Sequence, residues 1–351
     1  MIGRWQMAVA AIAMVAAQAQ AGGREMEAEV KAAFAAGKLE GLHSVLVMKD
    51  GEVFAEAHFK GQDWSWGTDH GVRQHGSDTL HDLRSVTKSI VSLTYGIALA
   101  EGKVPPVDAV LVDQFPEYAD LAGDEDRRKI TIEDALTMRM GLKWDEAGGY
   151  IDQRNSEIAM EYAPDRYRFA LEQEITEPPG KNWIYSGGAT TLIERLITKG
   201  TGQRFDEYMA EKLFEPLGIK DWGWIGRTPE EPAAASGLRL NIHDLAKIGQ
   251  MLINRGRVAD VQVVPEDWLK ISMAPHTSTG YLRYGYFWWM PPGEGKPPWV
   301  AGFGNGGQRF SINAEQNLVF VLFAGNYNDP DAWKLSVKVI TDYLVPALEG
   351  G

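Results

Sequence analysis

His81-Asp82-Leu83-Arg84-Ser85-Val86-Thr87-Lys88-Ser89-Ile90-Val91 is the stretch around which the chain reads as organised. Apolar residues recur at Val86, Ile90, Leu93 and Ile97, with Val91 beside them, which is the spacing of a helix. Gly102 follows the last of them and marks the stop. Ser85 then falls in the first turn, and Lys88 lies three residues on, on the same face. A hydroxyl and an amine one turn apart, at the positive end of a helix, suit a nucleophile and its base. The helix dipole favours negative charge growing at Ser85. Burial of the helix would lower the lysine pKa and let the amine accept a proton near neutral pH. A chain of 351 residues holds about one Ser-x-x-Lys pair by chance, so the reading depends on what else the chain supplies.

The N-terminus opens Met-Ile-Gly-Arg4-Trp5, runs apolar from Met7 to Ala17 and closes on Ala19-Gln20-Ala21 before Gly22. A positive start, a short apolar core and an Ala-x-Ala site make 1–21 a secretory signal peptide, with the product exported, periplasmic or secreted. That run is too short to span a bilayer and no later stretch reaches spanning length, so no membrane partner is expected after cleavage. The chain has no cysteine, which excludes disulfides, thiolate metal sites and lipid attachment through a cysteine. Stability must then come from the core, and the chain is long enough to build a large one. Formal charge is -13, and loss of Arg4 with the leader leaves the remainder one unit more acidic. An acidic chain without a basic run argues against nucleic acid as a partner. Nothing in the sequence sets the oligomeric state.

Beyond the leader, Met26 to Phe34 reads as a short helix. Ser44 to Met48 and Glu52 to Glu56 are β-type runs separated by Lys49-Asp50-Gly51, and Asp-Gly between alternating runs signals a hairpin. A polar, Trp-rich loop from Gly61 to Leu80 leads into the Ser85 helix. From Val104 the pattern is helical. Thr131-Ile-Glu-Asp134 reads as an N-cap with an acid in the first turn, opening a helix from Ile132 to Met140. Further helices are expected near Pro164 to Glu172, Ala189 to Lys199, Phe205 to Phe214, Leu245 to Ile253 and Pro265 to Met273. Tyr284 to Met290, Gln308 to Asn313 and Leu318 to Phe323 read as strands, and a final helix runs from Trp333 to Leu348. Strands at both ends with helices between imply one antiparallel sheet assembled from both termini, beside an inserted helical lobe.

Two further stretches carry chemistry. Trp183-Ile-Tyr185-Ser186-Gly187-Gly188-Ala189 precedes a helix. A tyrosine beside a lysine ammonium has its pKa lowered and serves as a base, whereas taken alone the stretch is an aromatic anchor in a turn. Gly302-Phe303-Gly304-Asn305-Gly306-Gly307-Gln308 satisfies G-x-G-x-x-G, but that fingerprint must open a helix, and here a strand follows. Small residues at a strand's edge point instead to a ligand approaching the backbone. His70, His75 and His81 match no metal-ligand spacing, so no metal and no cofactor are expected. Neither Gly-x-Ser-x-Gly nor His-Glu-x-x-His occurs, which removes the α/β-hydrolase elbow and the zinc peptidases.

Taken in order, Ser85-x-x-Lys88, Tyr185-Ser-Gly187 and Asn305-Gly306-Gly307 resemble the three elements of serine β-lactamases and penicillin-binding proteins. The likeness is greatest to the class C β-lactamase-related hydrolases, which include esterases, D-aminopeptidases and 6-aminohexanoate-dimer hydrolases. Leu83-Arg-Ser-Val-Thr-Lys-Ser89, Leu136-Thr-Met-Arg-Met-Gly-Leu142, Leu213-Phe-Glu-Pro-Leu-Gly218 and Gly304-Asn-Gly-Gly-Gln308 carry it over nearly the whole mature chain. The resemblance implies an α/β (α+β) fold with the site where the lobes meet. Residues 22–84 and 240–351 would form the sheet-containing lobe and 85–239 the catalytic helix and helical lobe, one catalytic domain in all. It also implies Ser85 as nucleophile, Lys88 and Tyr185 as the proton-handling pair, and Asn305-Gly306-Gly307 as the triplet on the strand lining the site. The oxyanion hole would be the backbone N–H groups of Ser85 and Gln308.

Two positions depart from the family pattern. Its second motif often ends in Asn, where Gly187 stands, and its third often begins with Lys or His, where Asn305 stands. A cation there would bind a β-lactam or peptide carboxylate, and a neutral amide does not supply that charge. The reading is therefore an exported serine hydrolase of a small-molecule ester or amide. A β-lactamase or D,D-peptidase and a catalytically inactive binding protein of the same fold are the alternatives. Trp144, Tyr150, Trp288 and Trp289 are candidates for an aromatic substrate pocket, with core or surface as the alternative for each.

Overall fold

Alternation along one strand explains how the molecule is layered. Leu318, Phe320, Leu322 and Ala324 pack on one face of their strand, while Val319, Val321 and Phe323 pack on the other. Side chains alternate across a strand, so a run apolar at every position must be covered on both faces. In the computed structural model, which describes residues 21–150, 152–228, 231–293 and 298–350, helices cover both. The expected leader, apart from Ala21, lies outside the described residues.

Helix α1 (21–35) precedes β1 (Leu42–Lys49) and β2 (Glu52–His58), the hairpin expected at Asp50-Gly51. A second hairpin, β3 (Lys60–Ser65) and β4 (Thr68–Gln74), stands where a loop was expected. Neither of its strands buries a whole face, so no apolar alternation announces it. Its turn depends on Trp66 and Gly67, both at positive φ. After β5 (His81–Asp82) comes α2 (Val86–Ala100), buried from Val86 to Ala98.

The middle of the chain forms α3 (Ile132–Leu136), α4 (Ser156–Tyr162), α5 (Arg166–Leu171), α6 (Gly187–Thr201) and α7 (Phe205–Met209). The Thr131 cap is reciprocal with Asp134. Helix α3 is shorter than expected because Met138 turns to φ +60°. Short strands β6 (Gly223–Trp224), β7 (Gly226–Thr228), β8 (Glu231–Pro232) and β9 (Leu238–Leu240) lead to α8 (Ile242–Ile253). Then follow β10 (Arg257–Val258), β11 (Val261–Gln262), α9 (Glu266–Ser272) and β12 (Thr277–Ser278).

The apolar run from Tyr284 to Met290 is not one strand. It folds back between β13 (Arg283–Tyr284) and β14 (Trp289–Met290), with Phe287 at φ +64° in a buried turn. Strands β15 (Val300–Gly304), β16 (Gln308–Asn313) and β17 (Leu318–Ala324) precede α10 (Trp333–Val339) and α11 (Val345–Glu349). The main sheet is antiparallel, in the order β12-β13-β14-β15-β16-β17-β1-β2. Chain ends meet at the β17–β1 pairing, where Val45 faces Leu322 and Val47 faces Phe320. One face packs on α2 and α8, and the other on residues of α1 and the C-terminal helices.

Candidate active site

The start of α2 is held by a clip. Strand β5 pairs with β9, His81 opposite Leu240 and Asp82 opposite Arg239, and the Leu83 N–H donates to the Leu238 carbonyl at 2.9 Å. Between clip and helix, Arg84 takes φ +50°, a conformation costly for a side chain that is not glycine. Its guanidinium lies 3.3 Å from Asp82 and 4.6 Å from the centre of the Tyr327 ring, contacts that hold the turn. Ser85 is the N-cap residue, and its side chain caps nothing. The hydroxyl is free to face Lys88, whose Nζ donates to Ser85 Oγ at 3.1 Å and to the Ala235 carbonyl at 2.9 Å.

Lys88 is fully enclosed, but burial does not neutralise it. Burial pulls the ammonium down, while Glu157, then Tyr185 and Glu146, outweigh that pull and hold it above its ordinary value. Of the two schemes open from the sequence, a lysine neutralised by burial and a charged lysine acting on Tyr185, the first is reversed, because carboxylates that sequence spacing does not reveal surround the amine. Glu157 Oε2 lies 3.5 Å from Nζ, and Glu157 Oε1 accepts from Ser236 Oγ at 2.6 Å. Glu146 Oε1 accepts from the Gly187 N–H and the Trp144 indole, each at 2.6 Å, and its Oε2 accepts from Tyr150 at 2.9 Å. Burial, then Glu157, raise the Glu146 carboxyl to about 7. Tyr185 lies beside Ser85 and Lys88, its ring centre 5.0 Å from Lys88 Nζ. Burial raises its phenol, Lys88 and the Ser85 hydroxyl oppose, and the two glutamates add to burial, for a net rise. Trp183 and Trp289 back the phenol ring at 5.8 and 6.0 Å between centres.

The strand against α2 is β15, not the Asn305-Gly306-Gly307 triplet. A Cβ on Gly302 would sit 3.0 Å from Ser89 Oγ, and one on Gly304 would sit 2.4 Å from the Leu83 carbonyl oxygen. Asn305 to Gly307 form the turn after that strand, with Gly306 and Gly307 at φ +90° and +95°. Asn305 opens on the Ser85 pocket and pairs with Asn328, accepting its N–H at 2.8 Å. Gln308, expected to supply an oxyanion donor, lines a neighbouring groove with Phe303 and Trp333, not the Ser85 pocket. Its side chain is tied to Ala324, donating to the carbonyl at 2.6 Å and accepting the N–H at 3.0 Å.

The cavity over Ser85 is ≈ 440 Å³, within the range of small-molecule sites. Trp64 and Trp66 of the β3–β4 hairpin, Arg84, Tyr150, Ile158 and Tyr327 contribute walls. Of the expected aromatic residues, Tyr150 is in the pocket. Trp144 is buried against Gly188 and Ala170, Trp288 is buried in the core, and Trp289 lines the neighbouring groove behind Tyr185.

Behind this pocket the fold gathers His43, His75 and His81, with ligand-type atoms within 4.8 Å of one another. His70 is apart from them, bonded to Ser65. A hydrogen bond joins His43 and His81, whereas the two buried ring nitrogens of His75 have no hydrogen-bond partner among the described residues. His81 Nδ1 meets the Asp82 carbonyl at 3.1 Å, so it carries the proton, and Nε2 accepts from His43 Nδ1 at 2.9 Å. His75 stacks on His43 with ring centres 4.0 Å apart and planes 14° apart.

A sheet covered by helices, with a buried serine–lysine–tyrosine constellation at the N-terminus of the inner helix, defines a serine hydrolase of the β-lactamase fold. The Beta-lactamase family model matches residues 26–334, and the chain belongs to that family. It is 28% identical over 164 residues to Esterase EstB of Burkholderia gladioli, covering 44% of this chain and 40% of that protein. It is 22% identical over 312 residues to the 6-aminohexanoate-dimer hydrolase of Paenarthrobacter ureafaciens, covering 82% of this chain and 73% of that one. Among solved structures, EstCE1, a hydrolase with promiscuous acyltransferase activity, superposes with a TM-score of 0.73 at 12% identity, over 93% of this chain and 98% of that one.

Proposed function

We propose that this protein hydrolyses small esters or amides through an acyl-enzyme on Ser85. The observation that carries the reading is the Ser85 Oγ to Lys88 Nζ contact of 3.1 Å, with the Tyr185 ring centre 5.0 Å from Nζ, beneath a small-molecule cavity. Ser85 Oγ attacks the carbonyl carbon as its proton passes to Tyr185 in its phenolate form, the form that the Lys88 ammonium favours against burial. The same proton then goes to the leaving alcohol or amine as the C–O or C–N bond breaks. Water repeats the sequence on the acyl group and restores Ser85. The oxyanion is received by the Ser85 N–H at the positive helix end and by the Asn305 N–H, the first amide beyond β15.

Several features favour a neutral, partly apolar substrate. Four aromatic side chains, Trp64, Trp66, Tyr150 and Tyr327, line the pocket, and the strand beside α2 presents Gly302 and Gly304, not a lysine. Arg84 is engaged by Asp82 and Tyr327. Relatives named as an esterase and an amide-dimer hydrolase support the same class. The leader pattern of 1–21 supports export.

The test is labelling with a serine-reactive phosphonate, followed by mass spectrometry and by turnover on a panel of esters, amides and nitrocefin. One adduct should form, on Ser85, and Ser85→Ala should take none while keeping its fold. Retention by that variant of more than about a thousandth of wild-type kcat would exclude the covalent route.

A further inference from the structure

Gly187 opens α6 with an ordinary helical backbone, since its φ is not among the positive ones. The backbone does not require glycine there; its neighbour does. A Cβ at 187 would lie 2.5 Å from Glu157 Oε2 and 2.9 Å from Glu157 Cγ and Cδ, closer than real Cβ contacts come. The carboxylate occupies the space that a side chain at 187 would fill, in the position where the family often has Asn.

Glu157 is built into that space. Asn155 caps α4 by accepting the Glu157 N–H at 3.0 Å, and Ser236 Oγ holds Oε1 at 2.6 Å. Oε2 has no hydrogen-bond donor of its own and lies 3.5 Å from Lys88 Nζ, with both side chains almost wholly buried. The Gly187 N–H is turned toward the second carboxylate, Glu146.

We propose that Glu157 is the residue that positions Lys88, and that Gly187 is the steric condition for it. Resting on the Ser85 acyl-enzyme reading, this makes Glu157 a positioning residue. It holds Lys88 as an ammonium whose other protons go to Ser85 Oγ and the Ala235 carbonyl, and leaves Tyr185, in its phenolate form, to take the serine proton. The ionisable groups facing Glu157 are Lys88, Tyr185, Glu146, Tyr150 and Glu161.

Four variants test this: Gly187→Asn, Glu157→Ala, the two combined, and Glu157→Gln. Each is checked for fold by circular dichroism and for Ser85 labelling by the phosphonate. The readout is kcat/KM on an activated ester as a function of pH. Gly187→Asn alone should lose about a hundredfold, because the new side chain and Glu157 cannot both fit. Adding Glu157→Ala should return about tenfold of that loss, the non-additivity expected of residues sharing one space. Glu157→Gln keeps the shape and removes one anion beside Lys88 and Tyr185. Its acid limb should therefore move to lower pH by about one unit, a change that loss of packing would not cause. Additive losses in the combined variant, or a folded Glu157→Gln enzyme with its acid limb unmoved, would overturn the proposal. Should Gly187→Asn not fold, Glu157→Gln decides alone. Absence of a Ser85 adduct in the wild type would instead remove the underlying reading.

Discussion

Replacing Glu146 by glutamine should convert a pH-dependent loss of stability into a gain. The carboxyl accepts from the Trp144 indole and the Gly187 N–H through Oε1, and from the Tyr150 hydroxyl through Oε2. An amide matches this shape, its oxygen accepting the first two and its nitrogen donating to the Tyr150 oxygen. Burial, then Glu157, raise the group from 4.5 to about 7, against the pull of Lys88. A carboxyl with its folded value above its unfolded one binds its proton more tightly when folded. That stabilisation is present below the unfolded value and is lost as pH rises through the folded one. The rise corresponds to on the order of 3 kcal/mol at alkaline pH. Urea denaturation of wild type and Glu146→Gln, followed by tryptophan fluorescence at about pH 4.5 and 8.5, reads it directly. Relative to wild type, the variant should gain on the order of 3 kcal/mol between those two conditions. A difference between the two proteins that stays constant with pH would refute the raised carboxyl and the crowding of charge invoked for it.

Tyr185→Phe removes one oxygen from a ring backed by Trp183 and Trp289, so the fold should persist while acylation slows by about a hundredfold or more. Pre-steady-state kinetics with an activated ester separates the acylation burst from the later steady rate. Wild-type speed in both phases would leave Tyr185 a structural anchor. Trp144→Ala should cost about 3–5 kcal/mol in denaturant unfolding, because the buried ring packs on Gly188 and Ala170. A fall in substrate affinity with stability intact would return Trp144 to the pocket wall.

Local features of this chain follow from local spacing. The period of Val86, Ile90, Leu93 and Ile97 builds α2 and fixes Ser85 and Lys88 one turn apart whatever surrounds them. Asp50-Gly51 makes a hairpin from its neighbours alone, and Thr131 with Asp134 caps a helix through bonds spanning three residues. Even the two-sided core of β17 is legible in its unbroken apolar run.

Contacts over long separations decide the remainder. Glu146 and Glu157 come from a loop and a helix some sixty to seventy residues beyond Lys88 and meet it only because α4 and α6 pack together. No pattern in either segment marks them. Their charge fixes the protonation of Lys88, a sign that burial alone would set the other way. The one available trace was Gly187, a glycine in a helix where the motif usually carries a side chain. It could have suggested that another group fills the gap. Gln308 shows the same limit, since a hairpin's register places a residue on one side or the other of the turn, and a shift of one position reverses the outcome. Sequence spacing brought a serine and a lysine to one helical face, and tertiary packing decided their charges and what lies around them.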